Sequence, residues 1–229
     1  RRTAAGRLSG RRPIASCRTA RGLGVLDEQG SGYIMKFCSV CGAEVRVGIP
    51  QGDNRPRHIC DQCGTIHYHN PKVVAGCIAH WDDKVLMCRR AIEPRHGLWT
   101  VPAGFMENGE TTYEGAARET AEEANARVAI DDLFVTVNLP HINQVYMLFR
   151  GRLLDLDFSP GDESLEVELM TEDQMPWDAM AFPTVTEALK LYFADRAAGG
   201  FGVHMLDIVR DEQAARRYTI RRLGSEGAD

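Results

Sequence analysis

The chain has 229 residues, 44% hydrophobic and 26% charged, with a formal net charge of −5. These are the proportions of an ordinary globular protein, and no run approaches the ~18 uninterrupted apolar residues of a membrane span. Residues 1–34 hold seven Arg against only Asp27 and Glu28, so the rest carries 20 basic and 30 acidic residues, a charge of −10. A body this acidic argues against sequence-independent nucleic-acid binding and suits the recruitment of divalent cations.

Residues 1–34 show no sustained hydrophobic period and are expected to be disordered. Their Arg-rich, acid-poor composition superficially resembles an organelle transit peptide. The plainer reading is a translated upstream stretch, with Met35 as the start. Seven Cys, two pairs of them spaced C-x-x-C, point to a metal site plus free thiols in a reducing compartment. A cytoplasmic location is expected, with organelle import left open.

Residues 35–70 have few large apolar side chains. Such a segment is too short to fold on burial alone and needs a metal staple. Cys38-x-x-Cys41-Gly and Cys60-x-x-Cys63-Gly, 18 residues apart, have the spacing of a zinc ribbon, in which four thiolates close a tetrahedral structural Zn²⁺ site. A redox C-x-x-C would occur once, beside a βαβ unit. His58, His67 and His69 read as surface or loop residues, and Cys77 and Cys88 as small buried ones.

Val73–Trp81 and Lys84–Arg89 read as a hairpin around Asp82-Asp83, and Trp99–Pro102 as a short strand. Thr112–Ala124 reads as a helix opened by a Thr111/Glu114 capping box and ended by Asn125 in a left-handed conformation. Strands are expected at Phe134–Leu139, Val145–Leu154 and Glu166–Met170. A second helix begins near Thr184, with Glu187 three residues on, and stops at Gly199-Gly200. Residues 206–229 read as a charged tail. The pattern is that of a mixed α/β domain over 71–205 behind a small metal module.

On the first helix, Glu119, Glu122 and Glu123 share one face, opposite Ala117, Thr120, Ala121 and Ala124. Three like charges at this spacing repel, and divalent cations are the obvious offset; taken alone, such a stripe is more often a solvated surface.

Gly104, five residues, Glu110, seven residues, Arg118-Glu119, two residues, Glu122-Glu123 resembles the signature box of the Nudix hydrolases. The lead-in from Gly97 to Gly104 is similar as well. Thr120 and Ala126 stand where the family usually has larger aliphatics, and Asn125 where it usually has Gly; no ligand is lost. The resemblance implies an α/β/α sandwich with a mixed sheet. It implies catalytic Mg²⁺ (or Mn²⁺) on Glu119, Glu122, Glu123 and the Ala103 carbonyl, with Arg118 and Glu110 orienting the carboxylates. It also implies a general base on a later acidic loop, for which Glu166 is placed ahead of Glu163.

A zinc ribbon ahead of such a domain is similar to NADH pyrophosphatases and to a group acting on FAD or ADP-ribose. The Ser-Gln-Pro-Trp-Pro-Phe-Pro run of the NADH group is absent. Asn70-Pro71-Lys72, Gln144-Val145-Tyr146 and Pro160–Ser164 resemble the FAD pyrophosphatase type. The expected activity is therefore hydrolysis of the diphosphate bond of FAD or ADP-ribose, with NADH as the alternative. A non-catalytic ADP-ribose sensor is the reading from another class, and a protein-docking ribbon a third. Arg89, Trp99, Phe105 and Tyr146 are candidate contacts to a nucleotide, although each aromatic suits the core equally well. The expected partner is a small nucleotide, with neither nucleic acid nor membrane; enzymes of this kind are often homodimers.

Overall fold

The computed structural model describes residues 35–211 and 218–223. The expectations for residues 1–34, Cys17 included, lie outside them. Two sheets are present among the described residues. The first is a three-stranded antiparallel module of β1 (Arg46–Gly48), β2 (Arg57–Ile59) and β3 (Ile66–His67). Its only buried apolar side chains are Cys38, Cys60 and Pro50, so burial cannot hold it together.

The second sheet has nine strands. They are β4 (Lys72–Trp81), β5 (Lys84–Arg90), β6 (Trp99–Thr100), β7 (Ala103–Phe105), β8 (Val128–Leu139), β9 (Gln144–Leu153), β10 (Ser164–Met170), β11 (His204–Arg210) and β12 (Tyr218–Leu223). The order β10-β5-β4-β9-β8-β11-β12 is mixed: β4 and β9 run parallel, as do β8 and β11, and the other neighbours are antiparallel. Strands β6 and β7 pair with β5 and β4.

Helix α1 (Thr112–Ala124) covers one face of this sheet and α2 (Pro183–Ala198) the other, which gives the α/β/α layering. The period of two along β4 sorts its side chains: Ala75, Cys77 and Ala79 pack under α1, while Ile78 joins the core under α2. Both faces being covered, β4 and β5 read as continuous apolar runs.

Helix α1 has the expected bounds, with a Thr111/Glu114 capping box and Asn125 left-handed at φ 46°. Its packing stripe differs from the expected one. Gly115, Ala116, Glu119, Thr120, Glu123 and Ala124 are buried, whereas Ala121 is exposed. Two glutamates therefore lie in the contact with the sheet rather than opposite it. Thr120, in place of a larger aliphatic, is buried with its hydroxyl donating to the Ala116 carbonyl at 2.8 Å.

Two further expectations need correction. Helix α2 is capped at Phe182 with Pro183 in its first turn, while Thr184 is buried rather than capping. The stretch 206–229 is not simply a charged tail, since β11 buries Leu206 and Ile208 against the sheet and β12 pairs along it. No described helix is long and apolar enough to cross a membrane.

Candidate active site

The loop Gly104–Thr111 and helix α1 form one hydrogen-bonded unit. Arg118 is its hub: its guanidinium donates to Glu110 at 2.8 and 3.0 Å, to Glu119 at 2.7 Å, to Glu122 at 2.9 Å and to the Phe105 carbonyl at 3.1 Å. Glu110 also accepts from the Glu107 amide at 2.7 Å, and with Arg118 this holds its pKa down at about 2. Planar, bidentate contacts of this kind need Arg rather than Lys. Gly104 is required by packing, because a Cβ there would lie 2.2–2.4 Å from the Glu119 carboxylate.

Glu119 and Glu123 are 8% and 6% exposed, which is rare for carboxylates. Burial raises the pKa of Glu119 against the pull of Arg118. Burial and the neighbouring Glu119 push Glu123 up to about 8, although the Ala103 amide helps to hold its charge. One Glu123 oxygen, Oε2, is buried without a hydrogen-bond partner among the described residues. A buried acceptor left this way costs free energy unless something positive meets it. Glu122 is exposed and turned onto Arg118.

These carboxylates open onto a cleft of about 1070 Å³. Arg90, Arg95, Glu107, Glu163, Tyr146 and Phe105 also line it, as do Leu139, His141, Ile208 and Tyr218 from β8, the turn after it, β11 and β12. Three observations fit a hard divalent cation at the α1 end. The donors are carboxylate oxygens, one of them is orphaned, and like charges crowd each other. The three glutamates do not close a tight cage. Among the described residues, only Cys38, Cys41, Cys60 and Cys63 bring ligand atoms of at least three such side chains within 4.8 Å of one another.

In that cysteine cluster, Cys38 and Cys63 sulfurs are 3.6 Å apart and those of Cys41 and Cys60 3.5 Å. None of these four cysteines is in a disulfide, and the Thr65 hydroxyl and amide lower the Cys63 pKa to about 6. The set suits a closed Zn²⁺ site. His67 Nε2 lies 3.3 Å from the Cys38 sulfur, placing it beside the cluster rather than loose on the surface.

The acidic loop 159–163 is fastened to the end of α1. The Asn125 side-chain amide donates to the Ser159 carbonyl, the Ser159 hydroxyl and the Pro160 carbonyl at 3.0–3.2 Å. The Ser159 and Gly161 amides donate to the Ala124 and Glu123 carbonyls at 2.9 and 3.0 Å. Gly161 comes so close that a Cβ would fall 1.8 Å from the Glu122 carbonyl oxygen.

A family model for the NUDIX domain matches residues 70–192, more than half of the chain, and one described as Nudix N-terminal, a zinc ribbon, matches 36–69. The chain belongs to the NUDIX family. A crystal structure of a NUDIX hydrolase from Nitrosomonas europaea is 58% identical and superposes with a TM-score of 0.75, covering 76% of this chain and 99% of that one. An NAD-capped RNA hydrolase NudC from Photobacterium profundum is 36% identical over 138 residues, 58% of this chain and 48% of that protein. An ADP-ribose pyrophosphatase from Methanocaldococcus jannaschii is 27% identical over 115 residues, 48% of this chain and 67% of that protein. The chain spans about half the length of that NudC relative.

Within this NUDIX domain the box residues Ala103, Gly104, Arg118, Glu119, Glu122 and Glu123 converge on the cleft, with Glu110 behind them on Arg118. Phe105 and Tyr146 line it too, Phe105 with one face under the Lys72 ammonium at 4.7 Å. Three expected residues lie elsewhere. Trp99 packs against the α2-side core. Arg89 and Glu166 pair with each other at 3.4 Å, outside the cleft lining. The reason is strand alternation: Arg90, one residue on, faces the carboxylates. A register shift between Ser164 and Glu166 leaves Glu166 opposite Arg89, on the α2 side of the sheet, and Glu163 in the cleft. His141 and Tyr218 carry no sequence signal, because the strand that brings Tyr218 here is exposed throughout and has no sustained apolar alternation.

Proposed function

We propose that the chain is a divalent-cation-dependent hydrolase that splits the diphosphate bond of an adenosine-containing substrate, releasing AMP. The substrates that fit best are FAD, giving FMN, and ADP-ribose, giving ribose 5-phosphate. The observation that carries this reading is the buried Glu119–Glu123 pair with its orphaned oxygen, opening onto a cleft large enough for a dinucleotide. Glu119 and Glu123, with Glu122 and the Ala103 backbone, would hold Mg²⁺ or Mn²⁺. When bound, the cation supplies charge neutralisation at the diphosphate oxygens and acidifies a water.

The chain's own groups do the rest. Arg118 aims Glu119 and Glu122, Arg90 and Arg95 take diphosphate oxygens, and Glu163 accepts the proton of the attacking water. The water oxygen bonds to one phosphorus as the bridging P–O bond breaks, leaving two monophosphates. Glu163 replaces Glu166 as the base because it lies in the cleft on a loop tied to α1. Support for the substrate class comes from the relatives, named for ADP-ribose and for NAD-capped RNA. The missing Ser-Gln-Pro-Trp-Pro-Phe-Pro run favours FAD or ADP-ribose over NADH.

Assaying FAD, ADP-ribose, NADH and a nucleoside triphosphate with Mg²⁺ tests this. AMP from FAD or ADP-ribose is expected. A tenfold preference for NADH would move the chain to the NADH pyrophosphatase alternative. Tight ADP-ribose binding with no turnover of any substrate would favour a sensor.

A further inference from the structure

The cleft has two chemically different arms. The α1 arm is lined by charges. The other runs onto the α2 face of the sheet, where in-register rows place Gln144 beside Leu139, and Val74 beside Tyr146 and Val137. Ile208 and Tyr218 of the C-terminal hairpin close this arm, and that hairpin lies beyond the 70–192 span of the NUDIX match.

His141 joins the hairpin to the body. It sits in the 3-10 turn Pro140–Ile142, lines the cleft with Ile208, and faces Tyr218 at a ring-centroid distance of 5.5 Å and a tilt of 47°. A second tie runs from the Asn138 side chain to Asp207 at 2.8 Å. The two rings are tilted rather than stacked on each other, so neither face is used up by the other. Apolar walls and two aromatic faces, in the part of the cleft lined from β8, β11 and β12 rather than from α1, are what a flat heteroaromatic base requires.

We infer that the hairpin β11–β12 and the turn at His141 form the adenine subsite, with the base stacked on Tyr218 beside the His141 ring. This rests on the AMP-releasing reading above, which places an adenosine at one end of the substrate. Tyr218 and His141 are then specificity residues that act through binding, remote from the bond that breaks.

Calorimetric titration of the intact protein with AMP and with ribose 5-phosphate, in Mg²⁺, tests the inference without requiring turnover. The parent should bind AMP at least tenfold more tightly than ribose 5-phosphate. Tyr218→Ala should weaken AMP about tenfold and leave ribose 5-phosphate unchanged, while Tyr218→Phe keeps the preference. Tyr218 is exposed on an edge strand, so neither variant threatens the core. A parent that does not discriminate, or a Tyr218→Ala variant whose discrimination is intact, overturns the subsite. AMP discrimination in a protein that cleaves no dinucleotide would overturn the hydrolase reading and leave the subsite standing.

Discussion

Replacing Glu123 with Gln keeps the shape of a buried side chain and removes its charge. In the cation-free protein Glu123 has a pKa of about 8 against an ordinary 4.5, because burial and Glu119 disfavour the carboxylate. A carboxyl whose folded pKa is raised costs nothing below pH 4.5, and its cost grows as pH rises towards 8. At pH 7 the folded protein must hold a near-neutral acid that the unfolded chain would ionise. About 2.5 pH units at about 1.4 kcal/mol each put that cost at roughly 3 kcal/mol. Glu123→Gln should therefore be more stable than the parent at pH 7 without divalent cations, by up to about 3 kcal/mol. The difference should shrink towards zero at pH 5. Mg²⁺ should then stabilise the parent and not the variant, and the variant should lose turnover. Urea unfolding followed by tryptophan fluorescence, in buffer freed of divalent cations but with ribbon zinc retained, reads this directly, since Trp81, Trp99 and Trp177 all lie outside the ribbon. A variant less stable than the parent at pH 7, or a gap that does not change between pH 5 and 7, would refute the reasoning.

Glu163→Gln should lower kcat by about 10²–10⁴-fold, whereas Glu166→Gln, which only breaks an exposed pair with Arg89, should stay within a fewfold of the parent. The reverse order in steady-state assays would return the base to Glu166. Asn125→Gly keeps the left-handed helix end and loses the amide that ties loop 159–163 down. It should cost about 1–2 kcal/mol in denaturant unfolding and reduce kcat with little change in KM. Cys60→Ser should abolish bound zinc by metal analysis and collapse the ribbon, with the tryptophan-monitored core transition unchanged. Stoichiometric zinc in that variant would argue against a four-thiolate site.

Much of the site was legible because its signals are local. The capping box, the left-handed Asn125 and the spacing from Gly104 to Glu123 all act within one loop and one helix, and the structure has α1 where they place it. What could not be read depends on long-range pairing. Arg89 and Arg90 are neighbours of the same chemistry, and only the sheet decides which of them faces Glu123. The shift before Glu166 exchanges one candidate base for another. The hairpin β11–β12 reads as a tail because β12 is exposed throughout, and because β11 pairs with β8 across some 70 residues of sequence. The buried stripe on α1 departs from the apolar one for a related reason: Glu119 and Glu123 are buried by the Gly104 strand, which helical periodicity alone does not reveal.

The most direct measurement is AMP release from ADP-ribose and from FAD with and without Mg²⁺, by the parent and by Glu122→Gln. Glu122 is exposed, so its loss should leave the fold intact. The account predicts AMP only from the parent and only with the cation. AMP formed without a divalent cation, or undiminished in Glu122→Gln, would contradict it.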